Sequence, residues 1–219
     1  MIKKFLAACC LLAVFLGSGV ANAQTPATAA PPVFTVGDTW VFQDTEFNKV
    51  TFFVDTVQSV NDKEVVFIRR STERPEPRPV TYTVDGNTPA TSTRTFPLAL
   101  VFPLKVGAEW AGRSTSGGRT HSDITKVIGY GKIQTPAGEF DAYQIERNSS
   151  TEGRPITSRQ VYWWAPQLNR MILRDHKTRG GDNEQFTEVL VGYSVTVGSV
   201  VKSNFVDVPG CDFCRGGAK

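Results

Sequence analysis

Histidine is nearly missing from this chain, with two in 219 residues, and cysteine is scarcely commoner, with four. His121 and His176 stand far apart, and no HxH, HExxH or cysteine-rich cluster accompanies them, so neither a metal nor any other cofactor is expected. Each histidine reads as a solvated strand-end residue near an acid, Asp123 or Asp175. There is no G-x-S-x-G elbow to expose a serine nucleophile, and no helix start follows Gly117-Gly118 to cradle a phosphate. The serines around those glycines belong to a surface loop, residues 112–118. Glu139 and Asp141 share one strand face, a spacing glycosidase chemistry uses, but no sugar platform can be placed opposite them. With no acid, base and nucleophile assembled, the chain is not expected to be an enzyme.

Charge of one sign is also lacking. The chain has 24 basic and 21 acidic residues, and two of the lysines, Lys3 and Lys4, lie in the first few positions. Those lysines precede an apolar run over residues 5–16, and small residues Ala21 and Ala23 flank Asn22. Residues 1–23 therefore read as a secretory signal cleaved before Gln24, and the product as periplasmic or secreted. Only Phe5 separates Leu6-Ala7-Ala8-Cys9 from the lysines, too short an apolar stretch for a lipoprotein box. The chain from Gln24 onward is nearly neutral, which removes the bulk electrostatic case for nucleic acid. No later run approaches the roughly 18 apolar residues of a transmembrane helix.

Long capped helical patterns are absent too, and the chain is rich instead in alternation and turns. Residues 24–32 are Ala, Thr and Pro and read as a flexible leader. From Val33 onward short alternating runs recur: Trp40-Val41-Phe42, residues 50–57, residues 64–70, residues 80–84, residues 124–130 and residues 184–195. The three alternate prolines Pro75, Pro77 and Pro79 make a connector, and Pro97 and Pro103 make residues 91–104 an edge strand or loop crossing. This is an all-β chain: an antiparallel meander forming a curved sheet, a sandwich or an open barrel, with one domain over residues 33–200 and a tail over 201–219.

Two related halves are suggested by an echo. Val36-Gly37-Asp38-Thr39-Trp40 returns as Val106-Gly107-Ala108-Glu109-Trp110, followed each time by strand, break, strand, proline-containing link and strand. In that reading Trp40 and Trp110 are equivalent packing anchors.

The aromatic residues are the candidate ligand contacts. Trp40, Trp110, Trp163, Trp164 and Tyr143 lie in or beside strands, and the adjacent Trp163 and Trp164 must face opposite sides of theirs. One or more could line a concave apolar site in a curved sheet, which points to a lipid or another apolar small molecule as partner. The rival partner is an envelope protein pairing with a free strand edge.

Thr135-Pro136-Ala137-Gly138-Glu139-Phe140-Asp141-Ala142-Tyr143-Gln144-Ile145, followed by Tyr162-Trp163-Trp164-Ala165-Pro166-Gln167-Leu168, resembles exported bacterial β-rich proteins of unknown function. Those carry a P-A-G-x-[FY]-x-[AC]-[YF] turn and strand and then Y-W-[FYW]-[AS]-P. The resemblance implies export and fold, and no reaction. A looser likeness, in compartment, size and strand content alone, is to periplasmic lipoprotein carriers of the open-barrel type, which hold acyl chains on a curved sheet.

Cys211-Asp212-Phe213-Cys214 follows Pro209-Gly210 near the end. Export makes a local disulfide the expectation, in a mobile tail. Too little chain remains for the helix a thioredoxin-like centre needs, and no further ligands are present for a metal.

Overall fold

A computed structural model describes residues 28–91, 98–116, 118–155, 157–180, 184–208 and 211–214. The expected signal peptide and Pro97 lie outside these residues. Eleven strands form one antiparallel sheet: β1 (Thr39–Glu46), β2 (Lys49–Val60), β3 (Glu64–Ser71), β4 (Arg78–Thr83), β5 (Glu109–Ser116), β6 (Arg119–Thr135), β7 (Gly138–Thr151), β8 (Thr157–Ala165), β9 (Arg170–Arg179), β10 (Gln185–Val197) and β11 (Val200–Phe205). Their order is β4-β3-β2-β1-β10-β9-β8-β7-β6-β5, with β11 paired to β10 off this path, and the sheet does not close into a barrel. Short 3-10 turns occupy Pro166–Leu168 and Asp212–Cys214.

The echo in the sequence is an echo in backbone geometry. Gly37 and Gly107 have φ of 95° and 88°, a region that favours glycine. Each opens a hairpin in the same way: Gly37 N donates to Val57 O and Val57 N to Asp38 O, while Gly107 N donates to Val127 O and Val127 N to Ala108 O. Trp40 pairs with Asp55, and Trp110 with Thr125. In both units the register with the following strand slips immediately after the valine, at Val57 and at Val127. Val57 opposes Phe67 and Phe67 opposes Val80; correspondingly Val127 opposes Ile145 and Ile145 opposes Tyr162. Val80 therefore answers to Tyr162.

Two apolar clusters cover the sheet. The first holds Phe34, Trp40, Val65 and Phe67 of the first unit with Tyr82 against them, and is completed by Phe140, Ala142 and Ala165 of the second; the other holds Leu104, Tyr143, Ile145 and Trp164 with Trp110 against them. Trp163 packs on the first cluster and Trp164 in the second, so the alternation rule separates the two neighbours. The connection from β4 to β5 lies over the second cluster. Asn87 fastens it there, its side-chain amide donating to Leu100 O and its oxygen accepting from Leu100 N, both at 2.9 Å.

Two boundaries differ from the expectation. The flexible leader does not reach Pro32, because Ala29 is buried and exchanges backbone hydrogen bonds with Leu104, at 2.9 and 3.0 Å. Two satisfied backbone pairs beside an apolar cluster offset the ordering entropy of so short a segment. At the other end the tail expected to begin at residue 201 is β11, joined to β10 by a Gly198-Ser199 hairpin turn with Gly198 at φ 62°. Beyond it Cys211 and Cys214 are joined in a disulfide and buried with Val208 against Val41, Val54 and Val191 on the convex side. The segment is thus a plug over the outer face of β1, β2 and β10. The pairing of β10 with β11 needs Gly192: a Cβ there would meet the Phe205 ring at 2.7 Å.

Candidate functional site

The concave side of the sheet holds a cleft of about 360 Å³ where the two units face each other. Register explains who lines it. On β8 the alternate residues Gln160, Tyr162 and Trp164 point inward, and their cross-strand neighbours Arg147 on β7 and Arg174 on β9 stand beside them. Glu188 on β10 opposes Arg174, Arg69 and Tyr82 come from the first unit, and Ala99, Gly86 and Thr88 belong to the β4–β5 connection.

Two polar assemblies divide this space. In the first, Asp55 is wholly buried and accepts from Arg69 through a two-pronged contact, Nε to Oδ1 and Nη2 to Oδ2, each 2.7 Å. Arg170 donates to the same Oδ2, and its guanidinium lies over the rings of Trp40, Phe67 and Tyr82 at 5.4, 4.7 and 5.4 Å. One carboxylate thus serves two guanidinium groups, and aromatic faces supply the remaining stabilisation of positive charge.

The second assembly is less complete. Arg147 Nη2 donates to Gln160 Oε1 at 2.6 Å, and the Tyr162 hydroxyl donates to the same oxygen. Arg174 Nη2 donates to Glu188 Oε2 at 3.0 Å. Among the described residues the Nε–H groups of Arg147 and Arg174, and the indole N–H of Trp164, are buried without a hydrogen-bond acceptor. Asp123 comes within 4.0 Å of Arg147 Nε, an ion-pair distance too long for a hydrogen bond, and is itself held by Ser149 and Ser114. Buried donors left this way typically cost about 1–3 kcal/mol each, so three in one cleft mark a local destabilisation.

The charges around the cleft move its titrations. Burial, then the Glu188 carboxylate, pushes Asp44 above the usual carboxylate range. Burial, then the cations of Arg174 and Arg147, holds His176 below the usual imidazole value. His176 stacks on Phe186 at 4.8 Å, and its Nε2 meets Thr178 Oγ1 at 2.9 Å.

Of the five aromatic residues singled out from sequence, Trp164 alone lines the cleft. Trp40 is sealed in the first cluster with its indole N–H on Leu168 O; Trp110 is half-buried and donates to Leu98 O. Trp163 is half-buried against the first cluster, and Tyr143 is buried with its ring 4.7 Å from that of Tyr130. His121 contacts Thr151 at 3.0 Å, and Glu139 pairs with Lys132 in the open at 2.6 Å. The cleft's arginines were missed because a lone arginine on a strand looks like a solvated charge. The signal that could have found them is the repeat, which sets Arg147 in the place of Arg69.

No protein-family model matches the sequence, and no curated protein matches it. Among solved structures, a candidate lipoprotein from Parabacteroides distasonis has 13% identity and a TM-score of 0.44, over 81% of this chain and 100% of that one. A candidate exported protein with a YmcC-like fold from Bacteroides fragilis has 16% identity and a TM-score of 0.44, over the same shares, 81% and 100%. The hypothetical lipoprotein YmcC from Escherichia coli has 7% identity and a TM-score of 0.42, over 73% of this chain and 89% of that one. Among the described residues no helix is long and apolar enough to cross a membrane.

Proposed function

We propose that the chain is an exported, non-catalytic β domain that holds a small molecule with a substantial apolar part in the cleft between its two units. The observation that carries this is the cleft itself: about 360 Å³, concave, and within the size range of small-molecule pockets. Phe34, Tyr82, Ala99, Trp164 and Met171 give it an apolar portion, while the larger share of its lining is polar and includes Arg69, Arg147, Arg170 and Arg174. Asn87 ties the β4–β5 connection down over the cleft through its two bonds to Leu100, so binding orders little further chain. Export is the reading of residues 1–23.

Native mass spectrometry of protein prepared gently from the periplasm tests this, with a bound amphiphile expected as an added mass. Repeated clean apo spectra, with no change in tryptophan fluorescence on titrating medium-chain amphiphiles, would refute it.

A second reading takes β5 as a docking edge. Among the described residues β5 pairs only with β6, so one row of its backbone groups has no strand beside it. A stoichiometric envelope protein in a pull-down, lost when a proline is placed in β5, would favour it.

A further inference from the structure

We propose that Arg147, with Arg174 beside it, takes the carboxylate of the ligand held in the cleft, so that the ligand is an amphiphile with an acidic head. The inference rests on the cleft reading above and says what that site selects.

The repeat supplies the grounds. Arg69 on β3 stands opposite Asp55 on β2; Arg147 on β7 stands opposite Thr125 on β6. These are the same register positions of the two units, counted from Val57 and Val127. In the first unit the arginine is neutralised from within, by both oxygens of Asp55. In the second the position of that acid is held by Thr125, fully buried and uncharged, and Arg147 Nε is left without an acceptor. The fold has kept the guanidinium but replaced the two-pronged carboxylate with a single one, Asp123, 4.0 Å from Arg147 Nε and beyond hydrogen-bond reach. A carboxylate arriving with a ligand restores the missing half of the pair.

The neighbouring groups agree in sign. Arg174 Nε–H and the Trp164 indole N–H are also unpartnered donors, and Trp164 is 2% exposed and part of the cleft wall. A ligand that presents acceptor oxygens satisfies such groups, and one that presents only donors does not. The acids nearby are already engaged or turned elsewhere. Asp55 carries Arg69 and Arg170, Asp123 is held by Ser149 and Ser114 and stays 4.0 Å from Arg147 Nε, and Glu188 meets Arg174 through Nη2 and leaves the Arg174 Nε free. Asp44, across β10 from Arg174, is held toward its neutral form by burial and then by Glu188. The apolar body of the ligand would lie along Trp164, Met171 and Tyr82.

The test is isothermal calorimetry of the purified mature chain with octanoate, octanol, octylamine and acetate. Octanoate should bind at least about tenfold more tightly than octanol, and octylamine and acetate should give no heat, because a charge-assisted contact adds to a shared tail. Octanol equal to octanoate overturns the inference and leaves the cleft reading standing. Acetate as tight as octanoate overturns the amphiphile. Silence from all four overturns the cleft reading and the inference together. Thr125→Asp supplies the second check: by rebuilding the internal pair it should abolish the advantage of octanoate over octanol while leaving the melting temperature unchanged or higher. A folded Thr125→Asp variant that still prefers octanoate as the wild type does would sink the proposal. Should that variant fail to fold, the wild-type comparison decides by itself.

Discussion

Trp40 and Trp110 occupy the same register position of two hairpins, opposite Asp55 and Thr125, yet Trp40 is sealed from solvent and Trp110 is half-buried. Equivalence of backbone has not brought equivalence of packing. The first indole sits beneath the Arg170 guanidinium and ties down Leu168 O; the second lies at the outer strand of the sheet and reaches Leu98 O in a loop. Trp40→Ala should therefore cost about 3–5 kcal/mol and Trp110→Ala roughly 1–2 kcal/mol, read from urea unfolding. Equal losses would contradict the difference in burial. The expectation from sequence, that related halves imply equal anchors, does not hold here.

Asp55→Asn removes the wholly buried carboxylate that both Arg69 and Arg170 bind. Breaking such a pair from one side should lower stability by about 3–5 kcal/mol. Chemical denaturation reads this directly, and a loss below about 1 kcal/mol would mean that the aromatic faces over Arg170 suffice.

The disulfide, expected in a mobile tail, is buried against Val41, Val54 and Val191, so its replacement should be felt. Cys211→Ser with Cys214→Ser puts two hydroxyls into an apolar contact and should cost roughly 1–3 kcal/mol, while Cys→Ala at both sites should cost less. Differential scanning calorimetry of the two double variants would separate them. A serine variant as stable as the alanine one would place the pair in solvent.

His176 gives a pH dependence whose sign follows from its environment. Burial and then Arg174 and Arg147 hold its folded value below the ordinary 6.5, so the unfolded chain binds the proton more readily. Stability should fall as pH drops below about 6.5, until the folded group protonates as well. His176→Gln should flatten this slope in thermal melts between pH 7 and 5, and an unchanged slope would assign the effect elsewhere. Octanoate, by lessening the local positive charge, should weaken the same dependence.

The strand content and the repeat were legible because both rest on local pattern: alternation around Phe67, and the V-G-x-x-W turns at Gly37 and Gly107. β11 was missed although Gly198-Ser199 between valines is a hairpin signal, since strongly polar Lys202, Ser203 and Asn204 masked the pairing with β10. Ala29 was unreadable for another reason. Nothing in an Ala-Thr-Pro stretch announces that its backbone will find Leu104, a partner seventy-five positions away. The cleft lies between those cases: its tryptophan was named, but its arginines acquire meaning only when Thr125 is seen to stand where Asp55 stands.

Every neighbouring pair in the sheet is a hairpin of consecutive strands except one, β1 against β10, where Trp40 meets Tyr193. Among the strand pairings the loop-closure entropy is therefore concentrated in a single seam, and the meanders on either side of it can form from local pairings. Closing this seam is therefore expected to set the folding rate. Leu190→Ala, in β10 opposite Phe42, should slow refolding, whereas Val65→Ala, inside a hairpin of the first unit, should act mainly by hastening unfolding. Stopped-flow chevrons of the two variants would show opposite limbs moving; the same limb moving in both would mean that the seam closes early and a hairpin closes last.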